Sequence, residues 1–106
     1  MSLIARVWRG RVPADRGDAY QAYLRRTGLA DYARTPGHRG TWVLRRVDGD
    51  VAEFLLLSAW ESWDAIRAFA GDDVAQAHYY LEDADFLLEM PERVEHWELL
   101  DAPSGS

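Results

Sequence analysis

Apolar residues recur along the chain with the two-residue period of strands in four stretches and with helical spacing in two. Their order is strand, helix, strand, strand, helix, strand. Ile4 to Val12 alternates, with Ile4, Arg6 and Trp8 on one face and Ala5, Val7 and Arg9 on the other, and Pro13 ends it. Asp15 is placed to cap a helix from Arg16, in which Ala19, Tyr20, Tyr23, Leu24 and Thr27 share a face. Gly28 weakens that helix ahead of Leu29 to Arg34, and Thr35-Pro36-Gly37 closes it. His38 to Val47 reads as the second strand, and Asp48-Gly49 makes a tight hairpin turn into the third, Val51 to Glu61. Ser62 suits the N-cap of the second helix and Gly71 its C-terminal end, with Ile66 and Phe69 toward the sheet. A long mixed connection from Gly71 to Met90 reads as a lid or as packing. After Pro91 the last strand runs from Arg93 to Leu100, with Glu95, Trp97 and Leu99 alternating against Val94, His96 and Glu98.

This order predicts an α+β, ferredoxin-like βαββαβ fold: a four-stranded antiparallel sheet with helices on one face, the last strand beside the first. Phe54, Leu55, Leu56 and Leu57 make the third strand apolar on both faces, so both must be covered. The chain's own helices cover one face. A second copy is the natural cover for the other, giving a homodimer through the sheet, with Trp42 and Trp97 filling the interface. The 106 residues fit one domain, 4–100, followed by a frayed C-terminal tail, 101–106.

Composition removes mechanisms. The chain has no Cys, Lys or Asn, hence no thiolate nucleophile, disulfide, Schiff base or phosphate-loop lysine. His38, His78 and His96 lie far apart, without metal-ligand spacing, and no bound metal is expected. Charge is split: residues 1–47 carry ten Arg against Asp15, Asp18 and Asp31, a balance of +7, and the remainder carries Arg67 and Arg93 against fifteen acids, a balance of −13. The halves are complementary, which predicts that Arg6, Arg9 or Arg11 meets Glu95 or Glu98 across the first and last strands. The net charge of −6 disfavours a nucleic-acid partner. No apolar run approaches the ~20 residues of a membrane span, and no secretory leader is recognisable, so a cytoplasmic location off the membrane is expected.

The strand order, Val12-Pro13-Ala14-Asp15 before the first helix, the Thr35-Pro36-Gly37 turn, and Trp60-Glu61-Ser62-x-x-Ala65-Ile66-x-x-Phe69 together resemble the antibiotic biosynthesis monooxygenase family. The similarity runs from Ile4 to about Leu99. It implies a dimeric α/β barrel in which two sheets pack face to face and each subunit keeps a pocket between sheet and helices. Members include cofactor-free monooxygenases of polycyclic phenols, haem-degrading enzymes, and proteins without an established activity. For the first kind the resemblance implies that Arg stabilises a phenolate while Trp and Tyr orient its rings. Asn, a donor in some members, is absent here. For the haem-degrading kind, Asp73-Val74-Ala75-Gln76-Ala77-His78 resembles the segment bearing an axial histidine, so His78 would be that ligand. A non-catalytic binder of a small aromatic ligand is the third possibility.

Arg6 and Trp8 either line the pocket or, for Arg6, pair with Glu98. His78 and Tyr79, in the long connection, are further candidates for chemistry, and Tyr80 for substrate contact. Trp60 either wedges the strand-to-helix corner or touches ligand. Tyr23 and Tyr32 follow core spacing yet could turn a hydroxyl into the cavity, and Phe69 is a candidate for the same cleft. His96 is expected at the face Val94 buries, against the partner subunit.

Overall fold

The computed structural model describes residues 3–101; of the expected tail, all but Asp101 lies outside the described residues. Strand β1 (Leu3–Pro13) leads through a 3-10 turn, Ala14–Arg16, into α1 (Gly17–Arg26) and α2 (Gly28–Arg34). Strands β2 (His38–Asp48) and β3 (Val51–Trp60), helices α3 (Trp63–Ala70) and α4 (Asp83–Phe86), and strand β4 (Glu95–Leu99) follow. The sheet has the order β2-β3-β1-β4, antiparallel throughout. This is the α+β ferredoxin-like arrangement that the hydrophobic pattern predicts, with helices on one face.

The strand registers fix which side chains share a face. Trp8 pairs with Leu56, Gly10 with Phe54 and Val12 with Ala52; these side chains meet Tyr20, Tyr23 and Leu24 of α1 in the main core. A second cluster joins Ile4 and Trp60 to Tyr32 of α2 and Ile66 of α3. Phe54, Trp60 and Ile66 are at most 1% exposed, and burying such a side chain contributes roughly 1.5–3 kcal/mol or more. On the opposite face, Val7, Leu57 and Trp42 lie in one row and Ala5 beside Trp97 in the next. Trp42, Leu44 and Trp97 are half or more exposed there.

Local signals held where backbone chemistry is unambiguous. Gly49, at φ 60°, turns the β2–β3 hairpin; Ser62 Oγ accepts from Ala65 N at 3.1 Å; and Gly71, at φ 88°, ends α3. Asp15 does not cap α1. It falls inside the 3-10 turn, whose first amide is satisfied from elsewhere, Ala14 N donating to Asp50 O at 2.7 Å. Thr27 breaks the first helical segment in two, its hydroxyl and its amide both turned back to Tyr23 O. Strand β4 is shorter than expected because the residues before it pair elsewhere: Val94 N donates to Ala75 O and Ala77 N to Glu92 O, both at 2.8 Å. The connection 71–94 is thus a strap doubled back on itself, with Phe86 and Leu87 anchored in the main core. Arg9 pairs with Glu95 at 3.3 Å across β1 and β4, as the charge split predicts. Arg11 reaches Glu89 instead, at 2.9 Å, and among the described residues Arg6 takes no carboxylate. Among the described residues, no helix is long and apolar enough to cross a membrane.

Gly10 is required by close approach. A Cβ there would lie 2.1 Å from Trp8 Cη2, and the ring edge cannot retreat without leaving its seat over β1. Gly10→Ala is expected to destabilise the fold by about 1–3 kcal/mol through overpacking. Urea denaturation checks this; an unchanged midpoint would show that Trp8 is free to move.

Candidate functional site

A cavity of about 30 Å³ lies between the sheet and the helical layer, beneath the strap. Strand β1 supplies Arg6 and Trp8, β3 supplies Leu56, and the α1–α2 junction supplies Tyr20, Leu24, Thr27, Gly28 and Tyr32. Phe69 of α3, Val94, and His78, Tyr79, Tyr80 and Asp83 of the strap complete the wall. A groove of about 260 Å³ on the outer surface shares Phe69 and His78 with the cavity and marks its mouth.

Arg6 dominates the interior. It is 2% exposed, Nη1 donates to Val74 O at 2.5 Å, and Nη2 donates to Gln76 O at 3.1 Å. His96 Nε2 lies 3.1 Å from Nη1. A guanidinium has only donors, so Nε2 must accept, and the proton of the neutral imidazole sits on Nδ1. Burial and, second, the Arg6 charge push the His96 pKa down to about 4. His96 therefore belongs to the pocket side of the sheet, roofed by Trp63 at 5.1 Å. The expectation that it packs against a partner subunit is corrected, because its register partner is the inward-facing Arg6. Burial also lowers the Arg6 pKa, an effect the neighbouring Tyr32 opposes. Among the described residues no carboxylate is paired with Arg6. The expected alternative, pairing with Glu98, does not form.

The aromatic walls are tied by polar contacts. Trp8 Nε1 donates to Tyr79 Oη at 3.1 Å, and Tyr79 Oη donates to Pro91 O at 2.5 Å. The Tyr80 hydroxyl donates to the Asp31 carboxylate, and burial, then Asp31, raises its pKa. Tyr32 stands edge-on to Phe69 at 4.7 Å, its pKa raised by burial despite Arg6. His78 is at the mouth, exposed, between Phe69 at 5.3 Å and Tyr80 at 5.0 Å. Asp83 is 4% exposed; its Oδ2 accepts from Tyr80 N at 2.6 Å, and burial raises its pKa. Among the described residues, no three His, Asp or Glu side chains are grouped to hold a metal ion.

Of the residues singled out from sequence, Arg6, Trp8, Tyr32, Phe69, His78, Tyr79 and Tyr80 come together on this wall. Tyr23 and Trp60 do not. Tyr23 packs on Tyr20 and Phe86 in the main core, and Trp60, fully buried, donates to Ser58 Oγ at 2.9 Å beneath Tyr32. Sequence reasoning missed Thr27, Gly28 and Asp83. The helix break at Thr27-Gly28 was a usable signal, since a junction exposes backbone to a cleft; nothing in the spacing of the strap set Asp83 apart from its acidic neighbours.

No family model and no curated protein matches the sequence. Solved structures do. A proposed antibiotic biosynthesis monooxygenase from Nitrosomonas europaea superposes with a TM-score of 0.64 at 21% identity, over 93% of this chain and 90% of that one. The cofactor-independent oxygenase SnoaB from Streptomyces nogalater gives 0.62 at 17%, over 99% and 98%. The chain has the fold of these monooxygenases. The haem-degrader MhuD from Mycobacterium tuberculosis, solved with two haems bound in its active site, shares it too, at 0.65 and 20%, over 95% and 99%. At such identities the likeness is one of fold.

The His96–Arg6 contact has a pH signature. The folded pKa of His96, about 4, lies below the ordinary value near 6.5, so its contribution to stability is complete above about pH 6.5 and is lost as pH falls toward 4. His96→Gln, which still accepts from Arg6 but does not titrate, should lose less stability than the parent between about pH 7 and about pH 4.5 in urea denaturation. Parallel losses in the two proteins would rule out the neutral imidazole as the acceptor.

Proposed function

We propose that the protein is a small cofactor-independent oxygenase that binds a phenolic aromatic molecule as its anion beneath the strap and oxidises it with O2. One observation carries this reading: a guanidinium buried on the cavity wall without a countercharge. A buried unpaired charge is expensive, and the acceptors Arg6 has, two carbonyls and an imidazole, are neutral. They engage three of its five N–H donors. A ligand oxyanion supplies the missing charge through stronger, charge-assisted bonds. Trp8, Tyr32, Phe69, Tyr79 and Tyr80 supply faces and edges that orient flat rings. The phenolate is then held where it can pass an electron to O2, away from water. The shared fold with a cofactor-independent oxygenase supports the reading.

Size sets a condition. The cavity, about 30 Å³, matches one water; a site for a single benzene ring takes about 150 Å³. Substrate therefore enters as the strap moves outward at the His78 groove, exchanging the tethers of Tyr79 and Tyr80 for ligand contacts. The same size test applies to haem: His78 offers an imidazole at the mouth, but a tetrapyrrole does not fit the cavity as built, and no step is assigned to it. An unchanged Soret band on haem titration would remove that ligand.

The second part of the proposal is a homodimer through the open sheet face. Contiguous apolar patches beyond a few hundred Å² are rare on monomers, and Trp42, Leu44, Leu55, Leu57 and Trp97 lie on one face of the sheet. Leu57→Asp should convert dimer to monomer in sedimentation equilibrium; a parent that is monomeric at micromolar concentration would refute the interface.

Oxygen uptake with anthrone-like and hydroquinone substrates tests the activity. Arg6→Gln should lower kcat/KM by about 10²–10³, the usual effect of removing one oxyanion donor. Tight binding without uptake would favour a non-catalytic aromatic-binding protein. Absence of both would overturn the reading.

A further inference from the structure

The same cavity wall holds a second buried ionisable group without an ion-pair partner among the described residues, the carboxyl of Asp83. It is 4% exposed, sits where the strap turns into α4, and among the described residues forms no ion pair with any Arg or His. Oδ2 accepts from Tyr80 N at 2.6 Å, while Asp83 N donates back to Tyr80 O at 3.0 Å, and His78 and the Tyr20 hydroxyl also favour its charged form. That pair of bonds aims the side chain inward. From α1, Tyr20 and Tyr23 face it; from the strap, His78, Tyr79 and Tyr80 do. A turn that needed only an acceptor for Tyr80 N could use Ser or Asn in place of a buried charge.

We propose that Asp83 is the general base of the site, taking the hydroxyl proton of a bound phenol while Arg6 holds the oxygen that loses it. The inference rests on the phenol-binding reading above and adds a catalytic residue to it. The O–H bond of the substrate breaks, the proton passes to the Asp83 carboxylate, and the electron pair stays on the substrate oxygen beside Arg6. Charge is conserved within the closed site: before transfer the guanidinium faces a neutral phenol and an ionised Asp83, and afterwards a phenolate and a neutral acid. No ion need leave or enter as the proton moves. Burial raises the Asp83 pKa from its ordinary value, against the opposing pull of Tyr80 N, His78 and Tyr20, in the direction that makes the group a better base. The phenol hydroxyls of the wall are poor rivals, since burial raises Tyr20, Tyr32, Tyr79 and Tyr80 and keeps them protonated.

The test is proton linkage with 4-nitrophenol, whose absorbance reports its ionisation. Above the pKa of the free phenol, the complex with the parent protein should hold one proton more than its separated partners, so affinity for the nitrophenolate should fall about tenfold per pH unit. Asp83→Asn keeps an oxygen for Tyr80 N but takes up no proton, and its affinity should be flat over the same range. With an oxidisable phenol, the variant should lose about a hundredfold or more in kcat. A flat profile in the parent protein, with binding still lost in Arg6→Gln, would overturn the role of Asp83 and leave the anion site standing. No binding of nitrophenolate at any pH would overturn the anion site and this inference together. The slope in the parent protein needs no variant, so poor folding of Asp83→Asn would not protect the proposal.

Discussion

A single guanidinium organises the cavity side of this molecule. Arg6 leaves the middle of β1, where the pleat points it beneath the strap, and it gathers Val74, Gln76 and His96 around itself. The strap therefore closes over the cavity partly because a buried cation needs acceptors. Remove that cation and the start of the strap, at Val74 and Gln76, loses the side chain that joins it to His96 of the edge strand. The aromatic lining is secondary to this. Trp8 owes its position to the bare backbone at Gly10, and Tyr32 and Phe69 stand over a floor set by Trp60 and Ile66.

Charge complementarity between the two halves of the chain operates at two depths. At the surface it joins Arg9 to Glu95, Arg11 to Glu89 and Arg46 to Glu53 across neighbouring segments, exposed pairs individually worth about 0–1 kcal/mol. In the interior the complement is withheld: Arg6 and Asp83 line one cavity and neither is neutralised by a side-chain partner there. The fold pairs its charges at the surface, where they matter little, and leaves Arg6 of β1 and Asp83 of α4 without an ion-pair partner at the cavity.

The fold was legible because its signals are backbone signals. Gly49 in the hairpin, Ser62 at the N-cap and the alternation of β1 and β3 each have one inexpensive structural solution, and together they leave one strand order. The pocket was legible in part, since Arg6 and Trp8 share the face of β1 that the helices cover and Tyr79 and Tyr80 sit in a connection long enough to reach over it. Asp83 was not, because its burial depends on how the strap folds back through the Ala75–Val94 and Ala77–Glu92 bonds, pairings between segments with no periodicity. Trp60 stayed open for a related reason: a tryptophan at a strand-to-helix corner is apolar enough for core or ligand, and only the Ser58 acceptor beneath it decides for the core. His96 follows the same lesson, its face set by a one-residue register that only the pairing with Arg6 fixes.

The bonds from Arg6 to two carbonyl oxygens of the strap have one more implication. Under the proposed phenolate site, a visiting hydrocarbon would have nothing to offer in exchange for them, whereas an oxyanion would take over the same donors as the strap lifts. Discrimination by charge would thus come before discrimination by shape: the latch itself screens callers, and the aromatic walls are consulted only by those it has already admitted.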